Sequence, residues 1–251
     1  MRIKQILGLS LSIAKAQFKL RNEGTYLGML WYLLNPFLTF ILMYAIFFDR
    51  LGKGIPNYPL YLLVGIIMFN YFQAVTREST KVIREKAGII KSINFPKESL
   101  IGSIVLKTLF SHIFELVVLS LFLLFFGISI RTMLYYPLIL SLLCIFTWGS
   151  SLILSAITVY FVDMDNIWAF ASTLIWFATP VFYAIEGQSR LLFFNLFNPM
   201  YYLITMARDI IIYNRVPHIL LIQGAVIYTL LSFIIGLFIF RKLSKKFAEL
   251  I

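Results

Sequence analysis

Charged residues are scarce in this chain, and their scarcity excludes a soluble globular domain. Only 13% of the 251 residues are Asp, Glu, Lys or Arg, whereas 61% are hydrophobic. Soluble domains carry about 25% charged and about 45–50% apolar residues. A soluble fold of this composition would lack polar surface to present to water. The sequence therefore predicts that a lipid bilayer solvates most of the molecule.

The residues and motifs of common catalytic centres are also nearly absent. Cys144 is the only cysteine, and the two histidines, His112 and His218, lie in no HExxH or CxxC pattern that would indicate a metal site. The sequence contains no GxSxG nucleophile elbow and no GxxxxGKS or GxxxxGKT phosphate loop. We expect a chain that is not an enzyme and binds no cofactor, so that ATP and its Mg²⁺ would be bound by a separate subunit.

Six apolar runs are each long enough to cross about 30 Å of hydrocarbon as an α-helix. The predicted fold class is therefore an all-α integral membrane protein with six transmembrane helices. The runs are Leu30–Phe48, Tyr58–Val75, Leu100–Phe126, Tyr136–Val162, Ile167–Ala184 and Ile219–Phe240.

The distribution of basic residues predicts the orientation and argues against a seventh span. The segment Leu191–Ile212 is apolar, but Asn195, Asn198 and Pro199 interrupt it. With six spans, sixteen of the 22 Lys and Arg residues lie on the side of both termini. Because cytoplasmic loops carry the excess of Lys and Arg, both termini are predicted to be cytoplasmic. A seventh span would place the basic tail outside, so Leu191–Ile212 is predicted to form re-entrant helices on the outer face.

The remaining hydrophilic segments are predicted to lie at the cytoplasmic side. Ile3–Leu20 has the pattern of an amphipathic helix on the membrane surface. Arg77–Lys97 is a charged helical stretch that stops before Pro96, and Val162–Asn166 is a short connection. The single membrane domain, residues 1–251, then consists of an interface helix (1–24), spans one to five (25–185), an outer-face gate (186–218) and span six with a cytoplasmic tail (219–251).

Aromatic residues make up 17% of the chain and are candidates for the lining of a conduit. Four of them recur along one face of span one, and three can share a face of span five. Aromatic rings stack on the C–H faces of sugars, so both groups suit a sliding glycan; ordinary helix packing is the alternative. The belts at the membrane interfaces account for Trp31, Tyr32, Tyr58 and Tyr61. The conduit candidates are Phe37, Phe40, Tyr44, Phe47, Trp168, Trp176 and Tyr183.

Two groups of ionisable residues leave other functions open. Asp163 and Asp165 match the DxD element by which some glycosyltransferases bind a metal and a sugar nucleotide. Because they lie in a very short turn, a cap for the following helix is the favoured interpretation. His112 and Glu115 share a face of span three, which predicts either the proton relay of a secondary transporter or a local hydrogen-bonded pair.

Four segments resemble type-2 ABC exporter permeases that move polysaccharides. Arg21–Phe40 is similar to the surface helix and YLGxLW start of the first span in that family, and Tyr58–Gln73 is similar to its second span. Gly88–Leu109 resembles its LIxKxxFPxxxLP segment, with Gly102 where a proline is common. Leu196–Ile211 looks like its outer NP…R element. The resemblance covers nearly the whole chain in the right order.

The resemblance implies a homodimeric permease in the bacterial inner membrane that works with two copies of a separate nucleotide-binding ATPase. Its substrate would be an undecaprenyl-linked glycan, most closely O antigen, with capsule and teichoic acid as near relatives. A permease for drugs or small lipids and a membrane enzyme acting on lipid-linked sugars are the alternatives. The implied roles are an inner mouth at Lys19, Arg21 and Tyr26, ATPase coupling at Arg84, Glu85, Lys86, Lys91, Phe95, Asp163 and Asp165, and an outer gate at Asn198, Pro199 and Arg208.

Overall fold

The structure is a computed structural model that describes residues 2–22, 30–185 and 188–251. Those residues form α-helices and short helical turns, with no β-strand among them, and the predicted all-α membrane class is confirmed. The helices are α1 (Arg2–Asn22), α2 (Trp31–Phe47), α3 (Tyr58–Glu85), α4 (Ala87–Ser92), α5 (Glu98–Phe125), α6 (Tyr136–Tyr160), α7 (Met164–Ala178), α8 (Ser189–Asn195), α9 (Pro199–Ile211), α10 (Ile219–Leu243) and α11 (Phe247–Leu250).

Five helical segments in the described part of the chain are long and apolar enough to cross a membrane. They overlap five of the six predicted spans and make the chain a multi-pass membrane protein. These segments are Leu33–Gly52, Tyr58–Glu85, Glu98–Phe125, Ile130–Tyr160 and Ile219–Leu250.

The predicted fifth span, Ile167–Ala184, is not one continuous helix. Helix α7 has 15 residues and ends at Ala178, which corresponds to about 22 Å at 1.5 Å per residue. Pro180 lacks an amide hydrogen and disfavours helical backbone in the residue before it, and Thr179 is extended accordingly. A sixth crossing therefore requires the non-helical residues that follow α7, and the count of six stays a prediction.

Helix α3 lies at the centre of the bundle and extends beyond it. It packs against α2, α5, α6, α7 and α9. Of its apolar 18-residue stretch, 78% is buried inside the protein. Its 28 residues span about 42 Å, more than the hydrocarbon thickness. The charged stretch predicted from Arg77 onward is the continuation of this helix; it breaks at Lys86, resumes as α4 and ends at Ser92, before Pro96.

Small residues allow α6 and α10 to pack with their backbones in contact. A Cβ at Gly149 would overlap the backbone of Ser232 and Phe233, and a Cβ at Gly236 would overlap the Gly149 carbonyl. The Ser150 and Ser232 hydroxyls are 3.1 Å apart, and Ser232 also donates to a carbonyl of α6. Small residues four apart on a helix are the usual means of close approach in membranes.

Helix α1 packs against the first half of α5. Ser10 is fully buried and donates to the Ser99 carbonyl at 3.2 Å, and the rings of Phe18 and Phe110 meet edge to face. Gly102 leaves room for the Ser10 side chain, which explains a glycine at this position. One face of the predicted surface helix therefore contacts protein rather than lipid.

The bundle has two chemically different ends. The basic end comprises α1, the last turns of α3, α4, the start of α5, the α6–α7 turn and α11, joined by contacts such as Lys97 to the Ser244 carbonyl (2.9 Å) and Glu98 to Arg241 (3.2 Å). The α9 end comprises α8, α9, residues 179–185, and the starts of α3, α6 and α10.

Candidate functional site

The predicted outer gate begins with a helix start that its sequence explains. Asn198 is the N-cap of α9: its Oδ1 accepts from the Met200 amide at 3.1 Å, and Pro199 occupies the first turn. Asn and Pro are the preferred residues at these positions. The Asn198 Nδ2 also donates to the Thr179 hydroxyl at 2.8 Å. The NP pair therefore both starts α9 and attaches it to the end of α7.

Arg208 is the buried centre of the α9 end. Its guanidinium donates to the carbonyls of Tyr61 (2.9 and 3.1 Å), Pro180 (2.7 Å) and Val181 (2.7 Å). It also lies 3.3 Å from the centroid of the Tyr61 ring, a cation–π contact. Burial lowers the pKa of the Arg208 guanidinium because the charged form loses hydration, but arginine stays protonated in proteins.

The non-helical residues after α7 have their carbonyl groups bound by side chains of other helices. Besides the two carbonyls held by Arg208, that of Phe182 accepts from the Tyr58 hydroxyl (2.9 Å) and that of Tyr183 from the Tyr61 hydroxyl (2.8 Å). Non-helical backbone is tolerated at membrane depth only when its polar groups are satisfied in this way. The assignment of Tyr58 and Tyr61 to an interfacial belt was wrong, because both are buried and bind this segment.

A pocket of about 650 Å³ opens beside this segment. Its wall includes Tyr61, Gln188, Thr205, Asp209 and Arg215. Asp209 is nearly buried and pairs with exposed Arg215 at 2.6 Å. Two of the three predicted gate residues, Asn198 and Arg208, bind residues 179–181 after α7, and Pro199 follows Asn198 in the first turn of α9.

A second cavity, about 560 Å³ in volume, lies among α2, α3, α5 and α7. Polar and apolar groups share its lining. The polar and aromatic residues that line it are Trp31, Asn35, Thr39, Asn70, Tyr71, Gln73, Arg77, Thr108, Ser111, His112, Glu115, Thr173, Trp176 and Phe177. We call it the membrane cavity.

His112 and Glu115 form the hydrogen-bonded pair that is one of the two predicted alternatives. Glu115 Oε2 lies 2.7 Å from His112 Nδ1, and the Tyr136 hydroxyl lies 2.8 Å from His112 Nε2. Tyr71 packs its ring edge-on against the imidazole at 5.2 Å and places its hydroxyl 3.2 Å from the Cys144 sulfur. This network holds the Glu115 carboxyl at the wall of the membrane cavity.

The aromatic residues of span one form a continuous row. The ring centroids of Phe37 and Phe40 are 6.4 Å apart, and those of Phe40 and Tyr44 are 5.8 Å apart. Phe40 is 7% exposed and meets Phe122 of α5 edge-on at 5.3 Å. Packing within the protein accounts for this ring, and lining of a conduit by the row stays a prediction.

The other conduit candidates are distributed over three places. Phe47 stacks on Phe182 at 4.7 Å, next to the Tyr183 ring, at the α9 end. Trp176 lines the membrane cavity, whereas Trp168 meets a ring of α3 edge-on nearer the basic end. Of the conduit candidates in span five, Trp176 therefore lines the cavity and Trp168 does not.

The predicted coupling residues lie at the basic end and differ in their contacts. Arg84 donates to the carbonyls of Thr158 and Val162 at the end of α6. The Asp165 carboxylate accepts from the Thr80 hydroxyl at 2.8 Å and pairs with a lysine of α3 at 3.4 Å. Asp163 is at the N-cap position of α7 but makes no capping hydrogen bond, contrary to expectation. Glu85, Lys91 and Asp163 are exposed, and Lys86 and Phe95 are half-buried.

The inner-mouth residues are described only in part. Lys19 is exposed near the end of α1. Tyr26 and the side chain of Arg21 lie outside the described residues.

Sequence reasoning missed two features of these sites. The row of bound carbonyls depends on Tyr58, Tyr61 and Arg208, which are up to 150 positions apart. Pro180 was the available signal, because it interrupts an otherwise apolar run. The polar residues that line the membrane cavity come from four helices, and no local sequence pattern identifies such a group.

Comparison with known proteins agrees with the geometry. The ABC-2 type transporter family matches residues 9–212. The chain is 28% identical over 217 residues to the O-antigen export system permease protein RfbA of Myxococcus xanthus, covering 85% of this chain and 84% of that one. A Klebsiella pneumoniae protein of the same name is 28% identical over 249 residues, with 98% and 96% covered. The polysialic acid transport protein KpsM of Escherichia coli is 22% identical over 220 residues, with 86% and 85% covered. The chain belongs to the ABC-2 type transporter family.

Proposed function

We propose that this chain is the membrane subunit of an ABC exporter that moves a lipid-linked polysaccharide, most closely O antigen, out across the bacterial inner membrane. The observation that carries the proposal is similarity to O-antigen export permeases over nearly the full length of both chains. Two copies of the chain would work with two copies of a separate ATPase, and the lipid would be undecaprenyl.

The basic end supports an ATPase partner. Helix α3 leaves the membrane as a rigid rod, and Arg84 and Asp165 attach it to the α6–α7 turn. Exposed Glu85, Lys91 and Asp163 surround that junction. A push on α4 would therefore reach α7, the non-helical segment after it and the proposed outer gate as one movement.

Deletion of the gene in its own bacterium tests the proposal. We expect surface polysaccharide to disappear and undecaprenyl-linked polysaccharide to accumulate inside, with both restored by a plasmid copy. A companion strain carries an ATPase whose phosphate-loop lysine is replaced by alanine, and it should show the same accumulation. In both strains, surface and retained polysaccharide are measured by gel electrophoresis and by antibody binding to intact and to opened cells.

Other outcomes separate the alternatives. Unchanged surface polysaccharide in the deletion strain contradicts the proposal and favours a permease for drugs or small lipids. Loss of surface polysaccharide in the deletion strain, but not in the strain with the ATPase variant, favours the proton-coupled flippase suggested by His112 and Glu115. Polysaccharide that is never completed, rather than retained inside, favours a membrane enzyme.

A further inference from the structure

The membrane cavity carries chemistry that helix packing does not explain. The cavity is lined by residues with amide or hydroxyl side chains, namely Asn35, Asn70, Gln73, Thr39 and Thr108. Polar groups in a hydrocarbon environment are costly unless they find partners. A cavity that gathers so many of them is therefore built to hold something polar.

Ser111 provides an independent sign of a missing partner. Its Oγ is buried at the cavity wall and has no hydrogen-bond partner among the described residues. A buried hydroxyl without a partner loses the hydrogen bonds that water would have given it. A ligand or water in the cavity would supply them.

The charges at the wall favour an uncharged ligand. Arg77 and Glu115 have opposite signs, and Arg77 already donates to Ser172 and to Thr173, both at 3.2 Å. A pyrophosphate would need an excess of cationic donors, which these lining residues do not provide. Sugar hydroxyls both donate and accept, and therefore match a wall of amides, hydroxyls and one carboxylate.

The aromatic part of the wall also suits a sugar. Trp31 of α2 and Trp176 of α7 also line the cavity. Indole rings offer a flat apolar face to the C–H side of a pyranose and a single N–H donor. One cavity thus combines apolar and polar surfaces.

We propose that the membrane cavity is a binding site for the sugar units of the exported glycan, with Glu115 as its central acceptor. His112 and Tyr136 position the carboxyl, because Tyr136 fixes the imidazole that in turn binds Glu115 Oε2. The proposal rests on the polysaccharide export function and assigns its substrate a place among α2, α3, α5 and α7.

The test measures whether a glycan covers the cavity. Thr39→Cys is made in a chain that carries Cys144→Ala, so that it has one thiol, and the complex with its ATPase is placed in lipid nanodiscs. The probe is lipid-linked polysaccharide extracted from cells that lack this permease. We expect a water-soluble methanethiosulfonate reagent to modify the thiol, and the probe to slow that modification. Ser111→Cys, on α5, repeats the measurement should Thr39→Cys not assemble.

Matched controls test whether modification and protection are specific to the membrane cavity and to the glycan. Leu42→Cys, on the exposed side of α2, should stay unmodified with or without the probe. Undecaprenyl phosphate alone should give no protection. Adding Glu115→Ala should raise the probe concentration needed for protection about tenfold, the usual effect of losing a hydrogen bond to a charged acceptor. Glu115→Gln should retain part of the protection.

Three results would overturn the proposal. An unreactive Thr39→Cys and Ser111→Cys would show that the cavity is closed to water. Reactive thiols without protection would show that it holds water only, and equal protection by undecaprenyl phosphate would show that it binds the lipid phosphate. Because export is measured separately by gene deletion, each of these results would reject the site while leaving the transport function intact.

Discussion

At the scale of single residues, Arg208 illustrates how a membrane protein stabilises a broken helix. One guanidinium holds carbonyls from two separate segments, residue 61 on α3 and residues 180–181 after α7. A planar guanidinium with five donors can reach all of these carbonyls, whereas a lysine ammonium is a compact point charge that cannot span them. Gly65 leaves space for it, since a Cβ there would lie 2.6 Å from an Arg208 nitrogen.

Replacement of Arg208 should therefore destabilise the α9 end even when charge is kept. We expect Arg208→Lys to lose about 3 kcal/mol, because hydrogen bonds to charged groups contribute about 1.5–3 kcal/mol each. That loss corresponds to a decrease of roughly 6–12 °C in the midpoint of thermal unfolding in detergent. Arg190→Lys, on the exposed surface of α8, is the control and should leave the midpoint unchanged. Equal midpoints for both variants would contradict this account.

At the scale of elements, α6 and α10 meet so closely that a methyl group does not fit. The atoms that a Cβ at Gly149 or Gly236 would overlap are backbone atoms, which cannot move without shifting a helix. We expect Gly149→Ala and Gly236→Ala each to cost about 1–3 kcal/mol, the usual cost of overpacking. Thermal unfolding of the purified protein measures both.

Two further variants sharpen this prediction. Both alanines separate the same pair of helices, so the double variant should lose less stability than the sum of the single ones. Gly8→Ala in α1 is the matched control, because no atom of the described residues lies within 4 Å of the position that its Cβ would take, and alanine is the better helix former by about 1 kcal/mol. It should be neutral or slightly stabilising; a loss as large as that of Gly149→Ala would contradict the explanation by close helix contact.

At the scale of the whole molecule, the number of crossings depends on α7 and the segment after it. A six-span chain with cytoplasmic termini places Lys53 and Arg190 outside and Asp163 and Lys245 inside. Single cysteines at these four exposed positions, in a Cys144→Ala chain, report the side. We expect an impermeant maleimide to label the first two in intact spheroplasts and the other two only after the membrane is opened. Arg190→Cys that labels together with Asp163→Cys would show that α7 does not cross.

The sequence by itself determined the class of the protein, because the length of an apolar run and the side on which charge accumulates are local properties. It also predicted that the charged helical stretch ends before Pro96, where a single residue type decides the backbone. Five spans followed from hydropathy for the same reason.

Only the tertiary structure decided what the isolated polar and aromatic residues do. Tyr58 and Tyr61 looked like interfacial tyrosines, yet they bind carbonyls more than 120 positions away in the sequence. Glu115 acquires its place through Tyr136, and the membrane cavity exists because four helices each direct a few polar groups to one space. The physical reason is that hydropathy depends on each residue alone, whereas satisfying a polar group in a membrane depends on which distant helix lies beside it.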